Sequence, residues 1–119
     1  MKRTIVLGAS PNPQRYSHKA VLALDENNHE VFPIGIREGK IRDIEIILDR
    51  PAISYVHTIS LYLSIDNQKE YYDYILNTKP KRIIFNPGAE NPELAALARK
   101  AGIKTENACT LVLLRLGAY

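Results

Sequence analysis

The chain has 119 residues, 45% of them hydrophobic, and a formal net charge of +3, which is the size and composition of one domain, residues 1–119, with a single core. The single cysteine cannot form an internal disulfide, and no Cys/His cluster has zinc-ligand spacing, so we expect no bound metal. No apolar run reaches the length of a signal-peptide core or a membrane helix. We therefore expect a cytoplasmic protein with no membrane partner. The basic residues are scattered instead of forming a dense patch, which disfavours nucleic acid as a partner.

The first predicted strand, Arg3 to Leu7, stops abruptly at Gly8-Ala9-Ser10-Pro11, and a helix is predicted from Tyr16 to Asn28. A glycine at the end of a buried strand lets the backbone bend sharply, and the free amides of a following helix attract an anion. The pattern is therefore typical of a phosphate-binding crossover for a nucleotide-like ligand. No complete glycine-rich nucleotide motif is present, so ordinary turn chemistry is the alternative.

His29 to Ile34 is the second predicted strand, and Gly35 closes it, which completes one βαβ unit. The next segment, residues 36–54, has a poor pattern. Gly39-Lys40 predicts a turn and Ile44 to Leu48 is a short apolar stretch. We expect a loop there with a short strand or a helical turn.

Ser54 to Leu63 fits the third main strand, and Asp66 is predicted to cap a helix that runs to about Asn77. Arg82 to Phe85 is the fourth strand, and the turn Asn86-Pro87-Gly88-Ala89 follows it directly. The sequence thus repeats, at a second strand, the pattern of a buried strand that ends in a tight turn.

Asn91 and Pro92 predict the start of a helix over Glu93 to Ala101, with Gly102 as its stop signal. A fifth strand is predicted at residues 103–106. The last apolar stretch, Ala108 to Leu116, is either a helix or a strand by its periodicity, and we favour the helix.

Strands that alternate with helices predict an α/β fold, a single-domain, Rossmann-like, doubly wound and mostly parallel five-stranded sheet. In such a sheet the ligand lies beyond the carboxyl ends of the strands, where the strand order reverses. That rule selects four loops as the candidate site: residues 8–15, 34–37, 63–66 and 86–91.

Several motifs in these loops and strands occur together in the order of a known family. They are Val6 to Pro13, Arg15 and Ser17 before Val21, His29 to Ile34, Asn86 to Glu93, and Glu106 to Cys109. Together they span essentially the whole chain and resemble the small stand-alone CoA-binding domain proteins. That family has a Rossmann-like fold similar to the nucleotide-binding domain of the succinyl-CoA synthetase α subunit.

The resemblance implies that CoA, or an acyl-CoA, is the ligand. It implies a diphosphate near the first turn, an adenosine end near the loop after the second strand, and a pantetheine side along the turn after the fourth. Arg15 and Lys19 are candidates to neutralise phosphate charge, although either can also be a solvated residue of the helix face. The predicted cofactor-binding residues are Gly8, Ala9, Ser10, Pro11, Arg15, Ser17, Lys19, Ile34, Asn86, Pro87, Gly88 and Ala89.

Two loops depart from the common family pattern. After the second strand, members often read Val-Asn-Pro, whereas this chain has Ile34-Gly35-Ile36 before Arg37. After the third strand, many have an Arg-Pro pair, and here the sequence is Leu63-Ser64-Ile65. We therefore expect changed contacts with the ligand at both places.

No catalytic residue is predicted. His18 is interpreted as an exposed helix residue more readily than as a phosphate contact, and Cys109 as a buried small side chain more readily than as a thiolate at a helix start. Glu90 is explained by the dipole of the helix that follows it. We favour a non-catalytic CoA- or nucleotide-binding protein. The alternatives are an enzyme that acts on an acyl-CoA or a nucleotide, and a regulatory or scaffold homodimer with a vestigial pocket.

Three tyrosines of the second predicted helix resemble a stacking platform only superficially: Tyr71, Tyr72 and Tyr74. On one helix they are better explained as core packing or as a dimer face. His29 and His57 are expected at strand edges or on the surface.

Overall fold

A computed structural model describes all residues, 1–119, as a five-stranded parallel sheet with helices on both faces. The strands of this sheet are β1 (Thr4–Leu7), β2 (Val31–Ile34), β5 (Thr58–Leu61), β6 (Arg82–Phe85) and β7 (Lys104–Asn107). The other elements are α1 (Tyr16–Glu26), β3 (Lys40–Ile41), β4 (Ile44–Glu45), α2 (Ile65–Gln68), a 3-10 turn (Lys69–Tyr71), α3 (Tyr72–Thr78), α4 (Pro92–Lys100) and α5 (Thr110–Arg115).

The strand order is β2-β1-β5-β6-β7, and every neighbouring pair is parallel. The chain moves outward from β1 to β2 and then returns to place β5 on the other side of β1. The order therefore reverses between β1 and β5, and this switch point is where open α/β sheets bind ligands. The predicted fold class is confirmed.

The sheet is buried because its central strands carry apolar or small side chains on both faces. β1, β5 and β6 are buried at all four positions, as the near-continuous apolar runs predict for parallel strands covered by helices. Two apolar clusters form, one on each face, with Phe85 in the first and Val6 in the second.

The strands are shorter than the sequence suggests. β5 covers only the last part of the predicted run from Ser54 to Leu63, and Tyr55 in that run is exposed with a positive φ of 56°. Helix α1 ends at Glu26, and Asn28 leaves it in the left-handed conformation with a φ of 65°. Asparagine tolerates this conformation better than most residues, which explains why the helix ends there.

The segment between β2 and β5 forms a small antiparallel hairpin of β3 and β4. Its turn lies at Arg42-Asp43, with Arg42 at a φ of 55°, so the turn predicted at Gly39-Lys40 is wrong. After the hairpin, Ile47 forms an isolated bridge to the end of β2: Gly35 N–H donates to the Ile47 carbonyl, and Ile47 N–H donates to the Pro33 carbonyl. The predicted loop thus covers the outer edge of β2.

The single helix predicted from Asp66 to about Asn77 is divided into three consecutive elements: α2, the 3-10 turn and α3. Ser64 is the N-cap residue of α2, so the prediction of Asp66 as the cap is wrong by two positions. The 3-10 turn interrupts the helix, and α3 ends at Thr78, followed by Lys79 in the left-handed conformation with a φ of 52°. Tyr71 is buried and Tyr72 and Tyr74 are half-buried against the main core, as the core-packing interpretation predicted.

Helix α4 begins as its sequence predicts. The Asn91 side chain accepts a hydrogen bond from Leu94 N–H at 3.2 Å, and Pro92 occupies the first helical position. The final apolar stretch forms the helix α5, which confirms the favoured alternative. None of the helices has the length and apolar character needed to cross a membrane.

Candidate functional site

A cavity of about 520 Å³ lies at the carboxyl ends of β1, β2 and β5, at the switch point of the sheet. All four loops that the sequence selects contribute to it, the fourth only through Pro87. Its lining is Gly8, Ala9, Ser10, Arg15, Tyr16, Ser17, Gly35, Ile36, Arg37, Tyr62, Leu63, Asn67, Glu70, Tyr71 and Pro87. The volume is typical of a pocket for a small molecule, about 300–1,000 Å³.

The amides of the glycine turn are already paired. Gly8 N–H and Ala9 N–H both donate to the carbonyl oxygen of Ile34, each at 2.9 Å. These two bonds join the loop after β1 to the end of β2. These two amides are therefore not free to bind an anion, although both residues line the cavity.

The free amides lie a few residues later. Neither Ser10 N–H nor the first-turn amides of α1, on Tyr16, Ser17 and His18, form a hydrogen bond, and the N-cap residue Arg15 provides no side-chain cap. The first amides of a helix have no intrahelical partner, and the helix dipole makes their end positive. Since Ser10, Tyr16 and Ser17 line the cavity, its wall carries an electropositive helix end.

Two arginines add full charges to the cavity. Arg15 and Arg37 are exposed, and neither forms an ion pair or a side-chain hydrogen bond. The carboxylate in the lining, Glu70, pairs with Arg50 through Nη2 and Oε2 at 3.3 Å, so its charge is partly neutralised by a residue outside the cavity. The balance of free charge in the cavity is positive, which favours an anionic ligand.

His18 is buried, not exposed, and this corrects the sequence interpretation. Its Nδ1 lies 2.9 Å from the carbonyl oxygen of Ser10, and only 8% of the residue is accessible. The contact fastens the loop after β1 to the first turn of α1. His18 therefore positions the Ser10 loop and does not face the cavity.

Asn86 is also buried, and its side chain is fully used inside the protein. Its Nδ2 donates to Ser60 Oγ at 2.9 Å and to the Leu61 carbonyl at 3.0 Å, while its Oδ1 accepts from Thr110 N–H at 2.8 Å. The side chain joins β5, the end of β6 and the start of α5. This geometry gives Asn86 a structural role that the sequence analysis missed.

Gln68 makes a similar connection between two loops of the site. Its Nε2 donates to the carbonyls of Leu63 and Ala89 at 2.8 and 2.7 Å, and its Oε1 accepts from Asn91 Nδ2 at 2.8 Å. The residue is completely buried. The loops after β5 and β6 are thus held at a fixed separation beside the cavity.

The predicted site residues divide into two groups. Six of them line the cavity: Gly8, Ala9, Ser10, Arg15, Ser17 and Pro87. The other six do not: Pro11, Lys19, Ile34, Asn86, Gly88 and Ala89. The ammonium of Lys19 lies 5.3 Å from the centroid of the Tyr16 ring, and Gly88 N–H donates to Glu90 Oε1 at 2.8 Å.

Arg37 and the aromatic lining were missed by the sequence analysis. Arg37 falls in a loop that was selected by position, and its unpaired charge is visible only once its surroundings are known. Tyr62, which directly follows β5, and Tyr71, the last residue of the 3-10 turn, belong to this lining. Burial raises the pKa of the Tyr62 phenol well above its ordinary value, and the nearby Cys109 adds to that effect.

Cys109 is the N-cap residue of α5 and is half-buried. It is thus at a helix start, as the thiolate alternative requires, and partly enclosed, as the favoured interpretation of a buried small side chain requires. It makes no side-chain capping bond and does not line the cavity. No group of three or more His, Cys, Asp and Glu side chains is arranged to hold a metal ion. The chemistry of the cavity therefore comes from amides, arginines, hydroxyls and rings.

The chain is similar to several solved structures over nearly its whole length. One is a crystal structure of an uncharacterized protein with 44% identity and a TM-score of 0.98, covering 100% of this chain and 98% of that one. Another is Prb, the PH1109 protein redesigned for binding, with 20% identity, a TM-score of 0.87 and coverage of 99% and 85%. A third, cell-free ID.343 from Thermus thermophilus, has 18% identity, a TM-score of 0.83 and coverage of 99% and 91%. The last two likenesses concern the fold alone.

No curated protein matches the chain in sequence. A family model described as a CoA binding domain matches residues 2–115, which is nearly the entire chain. The match agrees with the motifs in the loops after β1 and β6 and with the switch-point cavity. This protein belongs to the CoA-binding domain family.

Proposed function

We propose that this protein binds CoA or an acyl-CoA in the switch-point cavity and does not itself carry out a reaction on it. In this proposal the diphosphate lies against the first turn of α1 and Ser10. The adenosine end lies towards Arg37, and the pantetheine runs past Leu63 and Pro87. Family membership supports CoA as the ligand, and the charge distribution of the cavity supports this orientation.

The observation that carries the proposal is the set of unpaired amides at the start of α1 beside an unpaired arginine, Arg15. Backbone amides at a helix start hold phosphate oxygens without any cost of ordering a side chain. Arginine adds paired, charge-assisted hydrogen bonds that a neutral side chain cannot make. An anionic ligand would satisfy both at once.

The remaining lining also fits CoA. Tyr62, Leu63 and Pro87 give the cavity an apolar side that is separate from the charged helix end. A ligand with a phosphorylated end and an uncharged arm matches this division. The hydroxyl of Ser17, in the first turn of α1, is a further donor next to the free amides.

Binding without catalysis is supported by what surrounds the cavity. No histidine or cysteine belongs to the lining, and Glu70 is held by Arg50 through two hydrogen bonds, one to its carboxylate and one to its carbonyl. General acid–base chemistry needs a titratable group within hydrogen-bond distance of the reacting atom. Cys109 and His18, the two residues weighed for the enzyme alternative, do not line the cavity.

Calorimetric titration with CoA, acetyl-CoA, ADP and NAD tests the proposal. We expect CoA and acetyl-CoA to bind more tightly than NAD. Replacement of one charge-assisted contact in Arg15→Ala should weaken CoA binding by about tenfold, equivalent to about 1.4 kcal/mol.

Lys19→Ala is the matched control, because Lys19 belongs to the same helix but does not line the cavity. It removes the same formal charge and should change CoA affinity by less than about twofold, because the Lys19 ammonium is exposed and lies over the Tyr16 ring, outside the lining. Equal losses in the two variants would point to a general charge effect. No binding of any of the four ligands to the unaltered protein would refute the proposal.

A further inference from the structure

The hydroxyl of Tyr62 is a buried group without a hydrogen-bond partner, on a residue of the switch-point cavity. Tyr62 belongs to the lining of that cavity, and its side chain packs against the apolar cluster that contains Val6. The hydroxyl oxygen, Oη, is buried and makes no hydrogen bond. A buried polar group without a partner is costly, so this hydroxyl gains from a ligand atom that can bond to it.

The neighbouring hydroxyls do not satisfy Tyr62. Ser60 Oγ and Thr110 Oγ1 lie 2.7 Å apart and bond to each other. Ser60 Oγ also accepts from Asn86 Nδ2, and Thr110 N–H donates to Asn86 Oδ1, so both residues are held in place. Their hydroxyls are near enough to lower the pKa of the Tyr62 phenol, but neither lies within hydrogen-bond distance of it. The phenol therefore stands beside this network without joining it.

The phenol of Tyr62 keeps its proton at neutral pH. Burial raises its pKa, and the neighbouring hydroxyls reverse only part of that rise. A protonated phenol donates one hydrogen bond, so the partner that it lacks is an acceptor. In a CoA ligand the acceptors available are phosphate oxygens and the carbonyl oxygens of the uncharged arm.

The place of the hydroxyl in the sheet favours a carbonyl. Its nearest polar neighbours, Ser60 and Thr110, are both bonded to Asn86, which directly follows β6. The free amides of the helix start follow β1, and β5 lies between β1 and β6 in the sheet. Asn86 is adjacent to Pro87, past which the proposed function runs the pantetheine. The hydroxyl thus lies on the pantetheine side of the cavity and away from the diphosphate.

We propose that Tyr62 recognises the thioester carbonyl of an acyl-CoA, and that the protein prefers acyl-CoA thioesters to free CoA. This inference rests on the proposed function, because it requires the pantetheine to lie in the switch-point cavity. Among the carbonyls of the arm, the thioester carbonyl is farthest from the diphosphate and is absent from free CoA. The Tyr62 side chain turns outward to meet it, and this turn breaks no hydrogen bond of the hydroxyl.

S-ethyl-CoA is the probe that isolates this carbonyl, since it is a thioether of nearly the same size as acetyl-CoA without the thioester oxygen. In calorimetric titration, we expect the unaltered protein to bind acetyl-CoA about tenfold more tightly than S-ethyl-CoA, because the thioether leaves the phenol without an acceptor. In Tyr62→Phe the two affinities should agree within about twofold. The comparison of ligands on the unaltered protein tests the proposal even if the variant folds poorly.

Tyr71→Phe is the matched control, because it removes the same hydroxyl from another residue of the lining, one that packs in the cluster containing Phe85. It should keep the tenfold preference for acetyl-CoA. Equal affinities of the unaltered protein for the two ligands would overturn the proposal. So would a preference that persists in Tyr62→Phe, or one that Tyr71→Phe abolishes as well. If neither ligand bound the unaltered protein, the proposed function itself would be refuted, and this inference with it.

Discussion

Gly35 packs directly against the carbonyl group of Ala9, so closely that a Cβ atom at position 35 would collide with the carbonyl oxygen. The contact joins the loop after β2 to the loop after β1 at the wall of the switch-point cavity. The chain therefore has no room for a side chain at position 35, and the two loops approach each other through backbone atoms.

Gly35→Ala should therefore destabilise the protein by about 3 kcal/mol, because backbone atoms on both sides have to move. The free energy of unfolding in urea measures the effect. The displaced Ala9 belongs to the cavity wall, so CoA affinity should fall as well.

Gly88→Ala is a useful comparison for that substitution. A Cβ at Gly88 meets no atom within 4 Å, but the residue has a φ of 93°, which side chains rarely adopt. We expect a loss of about 1 kcal/mol from backbone strain alone. A loss at position 35 no larger than at position 88 would contradict the collision argument.

Asn86→Ala should cost roughly 2–4 kcal/mol of stability, because it leaves Thr110 N–H without its buried acceptor and removes one of the two donors to the Leu61 carbonyl. Urea unfolding is the measurement, with CoA affinity of the folded variant as a second one. If Asn86 acted mainly as a ligand contact, affinity would fall while stability stayed unchanged.

His18→Ala should weaken CoA binding without removing any atom from the cavity wall. The substitution releases the carbonyl of Ser10 from its contact with Nδ1, so the loop that carries a free amide loses its fixed position. His18→Asn offers an amide nitrogen at a similar place and should restore part of the affinity in calorimetric titration. Equal affinities in the alanine variant and the unaltered protein would show that the contact has no positioning role.

The stability of the protein should decrease as the pH falls below about 6.5, the ordinary pKa of histidine. Burial lowers the pKa of His29 and of His57, and neighbouring cations lower both further. The folded state then binds fewer protons than the unfolded state, so the stabilisation is complete above the unfolded pKa and is lost as the pH falls through the lowered folded pKa.

His29 has a structural reason to stay neutral, since its Nδ1 accepts the Lys2 amide at 2.9 Å. Unfolding free energies from pH 8 to pH 5 should fall more steeply in the unaltered protein than in His29→Gln/His57→Gln. Parallel curves would refute the assignment of this pH dependence to the two histidines.

The sequence determined the layers of the fold and the place of the cavity. Buried β-branched runs that end in Gly8 and Asn86 predicted parallel strands, and parallel strands with crossover helices leave only one edge of the sheet for a ligand. Asn91-Pro92 fixed the start of α4 because its capping signal is local. These predictions succeeded because they depend on periodicity and on short-range hydrogen bonding.

Only the tertiary structure decided which polar groups are free. The amides of Gly8 and Ala9 donate to the carbonyl oxygen of Ile34, which is distant in sequence. The burial of His18 and Asn86 likewise depends on partners in other parts of the chain, Ser10 and Thr110. Lys2, His57, Lys81 and Lys104 are brought together only because β1, β5, β6 and β7 are neighbours in space. A polar group is satisfied by whichever partner the fold brings within hydrogen-bond or ion-pair distance. Sequence spacing does not reveal that partner.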